Sequence, residues 1–313
     1  MGRLTERGVQ RKAAMPKGPH SRRITVADNE IAHCGRVTPE AVGVFVGDNA
    51  NNRVIHNHIY DLFYSGISVG SVQDFGPSHA TGNLIEYNHI HDVGQGMLSD
   101  LGAIYACSTP DTLIRYNRVH DVWRRDYGGW GIYLDEGSHD LLVQNNVIYG
   151  CQDGAFFAHH NHNVRAENNI FAFNRTAQVD RGGTGGFELT CRRNLVQYKE
   201  GKAVGDYGRE HCGRDVCVFD HNLYWNTSGT PVLFGKKTFS EWQTAGQDMK
   251  SLIADPLFVD PEKGDFRLRP DSPAARIGFE PWDLSRVGPR SRFRGAEAKS
   301  GTGSADSNTE PEK

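Results

Sequence analysis

Short runs of β-branched and other apolar residues alternate with Asn-rich polar turns along most of the chain. Segments such as "NLIEYNHIHDV", "TLIRYNRVHDV" and "LLVQNNVIYGC" align on a polar residue two positions before an Ile, Val or Leu. This polar position returns every 23 to 31 residues. A recurrence at about this spacing indicates a repeat architecture. Short β-branched runs favour strands over amphipathic helices. The pattern therefore predicts a solenoid built from β-strands.

A second set of strand-like runs lies between these segments, for example "SGISVGS", "LGAIYAC" and "WGIYLDE". Two or three short strands joined by tight turns make one rung, and each rung stacks about 4.8 Å above the last. Because side chains alternate along a strand, Ile67, Val69, Ile132 and Leu134 are expected to point into a continuous core. We predict an all-β protein, a parallel β-solenoid of about eight rungs.

The recurring polar position is Asn in six of the eight aligned segments: Asn29, Asn57, Asn88, Asn117, Asn145 and Asn168. Asn tolerates the left-handed backbone angles found in turns. Stacked one above another, its amides can hydrogen-bond along the solenoid axis as a ladder. We therefore interpret Asn57, Asn88, Asn117, Asn145 and Asn168 as structural.

The extent of the repeat predicts four segments. Residues 1–23 are basic and expected to be poorly ordered, 24–235 form the parallel β-helix, 236–290 leave the repeat and close it, and 291–313 are low in apolar residues and expected to be disordered. Nothing before the first rung resembles a capping helix, so the N-terminal cap is expected to be lacking. The basic N-terminus also lacks the apolar stretch of a secretory signal.

Composition narrows the range of partners. The net charge of −3 and the pI of about 6.5 give no indication of a nucleic-acid or anionic-membrane partner. No apolar run is long enough to cross a bilayer. The six cysteines show no spacing typical of zinc; Cys212 and Cys217 could bridge one loop, and the other four are expected to be small buried residues.

The stretch "GGWGIYLDEGSHD" carries the candidate chemistry. Strand alternation turns Tyr133 and Asp135 outward on one face, and Glu136 begins the turn. The next rung brings His159 beside Asp135, and Trp130 precedes them. Aromatic rings beside carboxylates suit sugars, because acids act on the glycosidic oxygen. The alternative is an ordinary solvated turn.

A second carboxylate can come from either of two positions. If Gly102 and Gly131 are equivalent and the strands straight, Asp100 lies roughly 20 Å from Asp135 along the strand direction. A glycosidase pair needs about 5–9.5 Å. Asp180 is expected in the same column as Asp135, two rungs away, at about 10 Å. Simple geometry therefore favours Asp180, unless the segment before Gly102 curls back.

Histidines and one insertion leave further alternatives open. His56 with His58, and His89 with His91, form two HxH pairs that could bind a metal. They lie beside the predicted Asn ladder, where polar turn residues are expected, so we favour a structural role and predict no metal. The insertion at 124–127 forms either a cleft wall or a solvated loop.

The runs "SDLGAIY" and "GWGIYLDEG" resemble motifs of the right-handed parallel β-helix proteins of glycoside hydrolase family 141. The likeness covers about residues 24 to 235, and the later "ADPLFVDPEKGDFRLRPDSPA" is similar to the closing segment of secreted polysaccharide-acting β-helix enzymes. The resemblance implies hydrolysis of plant cell-wall glycans, either fucosides of pectin side chains or xylan, in an extracellular or periplasmic location. It also implies that Asp100 and Asp135 are the catalytic acids and that His159 belongs to the site.

These observations lead to a hypothesis of a monomeric glycoside hydrolase that acts on a polysaccharide or oligosaccharide and needs no cofactor. Asp100 and Asp135 act as acid and as base or nucleophile, following the resemblance rather than the straight-strand geometry. The supporting or substrate-binding residues are Glu136, His159, Trp130, Tyr133 and Asp180, with Trp130 and Tyr133 as the sugar platform. The alternatives are a polysaccharide lyase or epimerase on the same scaffold and a non-catalytic glycan-binding protein.

Overall fold

The computed structural model describes residues 20–70, 77–182, 188–205 and 216–290. Within them the chain forms a parallel β-solenoid with three long sheets, which confirms the predicted fold class. Most of the basic N-terminal segment, the tail at 291–313 and the proposed Cys212–Cys217 bridge lie outside the described residues.

Strands are numbered along the chain, and each rung contributes one strand to each sheet. In the described part of the chain, the first sheet contains β1 (Thr25–Ala27), β4 (Arg53–Ile55), β7 (Leu84–Glu86), β10 (Leu113–Arg115), β13 (Leu142–Gln144), β16 (Val164–Glu167), β19 (Glu188–Arg192) and β22 (Val216–Asp220). These eight stacked strands match the predicted number of rungs and enclose about seven turns.

The second sheet follows the first after a two-residue bend, in which the residue before the ladder Asn, such as His56 or Tyr87, has the left-handed backbone angles that were expected of the Asn itself. Its described strands are β2 (Glu30–Ala32), β5 (His58–Leu62), β8 (His89–Val93), β11 (Arg118–Val122), β14 (Val147–Tyr149), β17 (Ile170–Ala172), β20 (Leu195–Tyr198), β23 (Leu223–Asn226) and β26 (Leu252–Ile253).

The third sheet carries the candidate site. Its described strands are β3 (Val44–Val46), β6 (Ile67–Val69), β9 (Leu101–Cys107), β12 (Gly129–Asp135), β15 (Gly154–His159), β18 (Ala177–Gly182), β21 (Lys202–Val204), β24 (Leu233–Phe234) and the antiparallel β25 (Lys237–Thr238).

One apolar core runs through the solenoid. Ile67, Val69, Ile132 and Leu134 are fully buried in it, which confirms the predicted alternation. The cysteines at 107, 151 and 191 are buried, and the half-buried Cys34 packs against the core, as expected for small apolar residues. Since a single rung cannot bury its inner face alone, neighbouring rungs stabilise one another.

A ladder of amides runs beside this core. The Asn57 side chain accepts hydrogen bonds from the backbone N–H and the Nδ2 of Asn29, and it donates to Asn88, which donates to Asn117 in the same way, each at 2.9–3.1 Å. The ladder continues through Asn146, Asn169, Asn194 and Asn222. Nearly every amide also donates to a backbone carbonyl, so the buried amides are well satisfied.

The prediction was wrong by one residue at Asn145 and Asn168. Both have left-handed backbone angles, with φ of 56° at each, and occupy the position of His56 and Tyr87 in earlier rungs. The following residue of each Asn–Asn doublet enters the ladder instead. Asn168 donates to Asn145 Oδ1 at 2.8 Å, so this doublet makes a short second stack outside the main ladder.

Replacing Asn117 by Ala should lower the free energy of unfolding by about 1–3 kcal/mol, because the N–H and Nδ2 of the buried Asn88 lose their acceptor. Chemical denaturation followed by circular dichroism measures the change. The matched control is Asn29→Ala at the exposed end of the ladder, where the loss should be smaller. Equal losses of unfolding free energy at the two positions would contradict the larger contribution that we assign to buried amides.

The closing segment begins on the last rungs and then runs back along the outer face of the second sheet to the first rungs, where Arg290 pairs with Asp28. Helix α1 (Phe239–Thr244) begins with a capping box between Thr238 and Glu241, and its Trp242 stacks on Phe234 at 5.2 Å. The segment then adds β26 to the second sheet, the antiparallel pair β27 (Phe258–Asp260) and β28 (Asp265–Leu268), and the 3-10 turns Pro261–Lys263, Pro273–Ile277 and Leu284–Arg286. Among the helices of the described residues, none is long and apolar enough to cross a membrane.

Candidate active site

Asp135 ends β12 on the outer face of the third sheet. The aromatic residues Trp130, Tyr133 and Phe157 form a cluster there that is separate from the solenoid core, and Tyr105 packs against it. Tyr133 stacks on Tyr105 with ring centroids 4.6 Å apart, as their paired register requires. These rings cover Asp135, which points away from the core but is only 3% exposed.

Hydrogen bonds from neighbouring residues hold the Asp135 carboxylate. The Tyr105 hydroxyl donates to Oδ2 at 2.6 Å, the Glu136 amide donates to Oδ1 at 2.8 Å, and His159 Nδ1 lies 2.8 Å from Oδ1. Burial alone would raise the pKa of Asp135, but hydrogen bonds from His159, Tyr105 and the Glu136 amide outweigh it and lower the pKa. Asp135 is therefore held in its ionised form.

Asp100 immediately precedes β9 in a left-handed conformation, with φ of 60°. Burial raises its pKa, and the negative charge of Asp135 raises it further. Hydrogen bonds from the hydroxyls of Tyr133 and Tyr127 act in the opposite direction but do not cancel the rise. Tyr133 also hydrogen-bonds Asp135, so one hydroxyl contacts both carboxyl groups. The structure thus brings Asp100 and Asp135 together.

The straight-strand estimate of their separation was wrong because the strands bend. The register, which aligns Gly102 with Trp130 rather than with Gly131, would by itself lengthen the offset by one residue. A Cβ at Gly102 would nevertheless lie 2.8 Å from the Cβ of Tyr133, although three residues of straight strand span about 10 Å. The residues before the bend therefore lie over Tyr133, and only Gly leaves room for this approach.

Four tyrosines surround the two carboxyl groups: Tyr64, Tyr105, Tyr127 and Tyr133. The Tyr64 hydroxyl donates to the Asp100 carbonyl at 2.9 Å. Burial and the charges of both aspartates raise the pKa of Tyr64 to about 12. Sequence reasoning overlooked Tyr64 and Tyr105. The repeated "AIY" and "GIY" were a usable signal, since they place Tyr105 and Tyr133 in one column.

A groove of about 590 Å³ leads to this site over the earlier rungs of the third sheet. It is lined by residues 40–42, Phe45, Tyr64, Ser68, Gly70, Tyr105 and Cys107. Tyr105 is the link between groove and carboxylate, because its hydroxyl donates to Asp135. Phe45 on β3 is 61% exposed and offers an open aromatic face beside the groove.

The predicted sugar platform was wrong. Trp130 is 1% exposed and stacks on Phe157 at 4.3 Å, so its face is already covered by protein. Tyr133 is buried as well and acts through its hydroxyl. The accessible aromatic residues near the site are Phe45 and Tyr127, which is 46% exposed and comes from the insertion at 124–127. Through Tyr127 the insertion contacts Asp100, although none of its residues lines the groove described above.

The remaining predicted residues divide between the site and its surroundings. His159 lies where predicted, against Asp135. Glu136 contributes its backbone amide, whereas its carboxylate pairs with His160 at 3.3 Å. Asp180 is not in the column of Asp135: it pairs with Phe157, which pairs with Tyr133, and it is buried near Gly154.

Three groups of side chains in the described ranges have ligand atoms close enough for a metal ion. They are His58, His89 and His91; His20, Asp48 and His79; and Glu136, His159 and His160. The last group adjoins the carboxyl pair, but His159 directs Nδ1 to Asp135. The pKa values of Asp100 and Asp135 shift in opposite directions, and neighbouring carboxyl groups with such shifts can serve as acid and base.

Comparison with known proteins supports the fold. A family model described as "Right handed beta helix region" matches residues 17–103 and 97–196 of the 313 residues. The chain is also 25% identical over 198 residues to "Uncharacterized protein YwoF" of Bacillus subtilis (strain 168). That match covers 49% of this chain and 42% of the curated relative, so the chain spans less than half of its length.

The fold alone leaves several chemistries open, because glycosidases, lyases and other proteins share the β-helix. An enzyme is consistent with this scaffold. The family match covers more than half of the chain and agrees with the repeated three-sheet rungs and the amide ladder. The chain belongs to the family of right-handed β-helix proteins.

Proposed function

We propose that this protein is a glycoside hydrolase acting on a plant cell-wall polysaccharide or oligosaccharide, of the pectin-fucoside or xylan type. The observation that carries the proposal is the pair of aspartates whose pKa values move in opposite directions around one shared tyrosine hydroxyl. Glycoside hydrolysis needs one protonated and one ionised carboxyl group on either side of the scissile bond.

In this mechanism Asp100 donates its proton to the glycosidic oxygen as the bond breaks. Asp135 stabilises the positive charge that develops on the sugar, either by attacking the anomeric carbon or by activating a water molecule. The hydrogen bonds on Asp135 favour its ionised form, whereas burial and the nearby negative charge of Asp135 favour the protonated form of Asp100. His159 orients Asp135 through Nδ1.

The groove supports a neutral glycan as substrate. Its lining combines Phe45, Tyr64 and Tyr105, on which sugar C–H faces can stack, with the hydroxyl of Ser68 and the carboxylate of Glu40, which would repel an acidic sugar. Of the residues that line it in the described ranges, none is Lys or Arg. A lyase acting on acidic sugars typically uses such a cation as its base. The lining therefore favours hydrolysis over elimination.

The proposal includes where and with what the protein works. A cell-wall glycan lies outside the cell that degrades it, so we place the protein in an extracellular or periplasmic compartment, acting as a monomer without a cofactor. Immunodetection in secreted and cellular fractions tests the location.

The direct test is to incubate the protein with xylan, pectin fragments and fucosylated oligosaccharides and to measure new reducing ends. Asp140→Asn is a suitable control variant, because Asp140 lies in the following turn, where it pairs with His139 and Asn163. New reducing ends from the parent and the control support a hydrolase. An ultraviolet-absorbing unsaturated product would instead identify a lyase, and saturable binding without turnover would identify a glycan-binding protein.

Tyr105→Phe should move the acidic limb of the pH–rate profile to higher pH. The Tyr105 hydroxyl lowers the pKa of Asp135, so its removal raises that pKa, and Asp135 becomes protonated at a higher pH than in the parent. The change is read from kcat/KM against pH. Tyr127→Phe is the matched control, since Tyr127 contacts Asp100 instead. An unmoved acidic limb in Tyr105→Phe would contradict the assigned role of Asp135.

A further inference from the structure

A cluster of four histidines lies on the outer face of the second sheet, away from the carboxyl pair. The parallel register stacks His58 on His89, and in the next outward column it stacks His91 on His120. The residues between them, among them Ile59 and Ile90, are fully buried in the core. His58, His89, His91 and His120 are called the histidine cluster below. The sequence suggested turn positions for His58, His89 and His91, but these three lie within strands, as does His120, which the sequence analysis did not single out.

The ring nitrogens of the cluster converge. His58 Nε2 lies 2.8 Å from His91 Nε2, and His89 Nε2 lies 2.9 Å from His120 Nε2. His58, His89 and His91 each offer one ligand atom, and these atoms lie within 4.8 Å of one another. A tetrahedral zinc ion with bonds of about 2.0–2.1 Å holds its nitrogen ligands a little over 3 Å apart. The spacing is therefore close to that of a metal site, and a small movement of the rings completes it.

Two carboxylates orient the cluster from outside. Asp92 Oδ2 lies 2.7 Å from Nδ1 of His91, and Asp121 Oδ2 lies 2.7 Å from Nδ1 of His120. Both contacts leave Nε2 directed inward. A histidine whose second nitrogen is held by a carboxylate is the usual arrangement around protein-bound metals, because it sets the tautomer and increases the basicity of the ligating nitrogen.

The side chains around the histidine cluster suit the binding of a cation. The half-buried His89 ring lies between those of His58 and His120, with ring centroids 5.0 and 5.1 Å away. Arg118 is the adjacent positive charge, and its Nη2 is held by the Tyr149 hydroxyl at 2.7 Å. Asp92 and Asp121 supply negative charge, and Tyr60 closes the other end of the stack. Half-buried rings leave an entry path from solvent.

We propose that His58, His89 and His91 bind a divalent transition metal of the Zn²⁺ type, with Asp92 as the positioning residue of His91. Imidazole nitrogens suit zinc, copper and nickel, whereas calcium and magnesium prefer oxygen ligands. Because His58 lies on β5 and the other two lie on β8, a bound ion links neighbouring rungs of the solenoid. This site is distinct from the carboxyl pair of the third sheet, and its test is independent of glycan turnover.

The test is isothermal titration of the untagged protein with Zn²⁺ near neutral pH, together with the thermal unfolding midpoint. The parent should bind one ion in this cluster and unfold at a higher temperature when the ion is present. His91→Asn should weaken binding by more than about tenfold, and Asp92→Asn should weaken it by about 10–100-fold through lost orientation. Asp92 has φ of 51°, which Asn tolerates, so this variant should fold.

His221→Asn is the matched control, because His221 pairs with Asp220 at 3.0 Å outside the histidine cluster. It should bind Zn²⁺ as the parent does. Should His91→Asn fail to fold, His58→Asn replaces it, and Co²⁺ absorption of the parent reports nitrogen coordination directly. Absence of saturable binding to the parent, or equal affinity in the parent and both cluster variants, would overturn the proposal and leave the histidines as hydrogen-bonded stacked pairs.

Discussion

Replacing Asp135 by Asn should reduce kcat/KM for glycan hydrolysis by on the order of 10²–10⁴-fold. The substitution keeps the shape of the side chain and an acceptor for the Tyr105 hydroxyl, but it removes the negative charge. That charge is needed to stabilise the sugar cation or to activate water. The measurement is the initial rate of reducing-end release over a range of substrate concentrations.

A loss of activity from misfolding must be separated from a loss of chemistry. Circular dichroism of Asp135→Asn should match that of the parent at the assay temperature, whereas its unfolding midpoint should fall, because the amide has one acceptor oxygen where the buried carboxylate has two. Glu136→Gln is the internal control: its carboxylate pairs with His160, and only its backbone amide contacts Asp135. Full activity in folded Asp135→Asn would refute the hydrolase mechanism.

Asp100→Asn should cause a loss of the same order on natural glycans and a much smaller loss on aryl glycosides with good leaving groups. An activated leaving group departs without a proton, so the general acid matters less. The parent needs Asp135 ionised, which fails as pH falls through its lowered pKa. It also needs Asp100 protonated, which fails as pH rises through its raised pKa. The parent profile should therefore be bell-shaped.

In Asp100→Asn the alkaline limb of that profile should disappear and the acidic limb should remain. Rates of both proteins on one natural and one aryl substrate, measured across the pH range, give the comparison. Asp180→Asn provides a second reference, because Asp180 lies in the Tyr133 column rather than beside Asp135. If Asp180→Asn removed the alkaline limb and Asp100→Asn kept it, Asp180 would be the acid.

Several features of the fold were accessible from local pattern. Alternation placed Ile67 and Leu134 in the core, and the spacing of Asn57, Asn88 and Asn117 predicted the amide ladder. The pattern failed where two asparagines are adjacent, because either residue of a doublet can take the left-handed turn. Only the register of neighbouring rungs decides which of them enters the stack.

The candidate site shows the same division. The proximity of His159 to Asp135 follows from rung stacking and was predicted. The approach of Asp100 to Asp135 depends on a strand bend at Gly102. The burial of Trp130 depends on its stacking against Phe157. Neither contact can be predicted from the spacing of residues along the sequence. The histidine cluster likewise needs two columns in exact register before its nitrogens meet.

By itself, then, the sequence determined the parallel β-solenoid, its inward-facing residues and the rung that carries Asp135. These features depend on a short pattern that is repeated in every rung. The tertiary structure alone decided which carboxyl group joins Asp135, which aromatic faces remain open and which histidines converge. Those outcomes depend on bends, on register and on packing between residues that are 23 or more positions apart in the chain, where no local period constrains them.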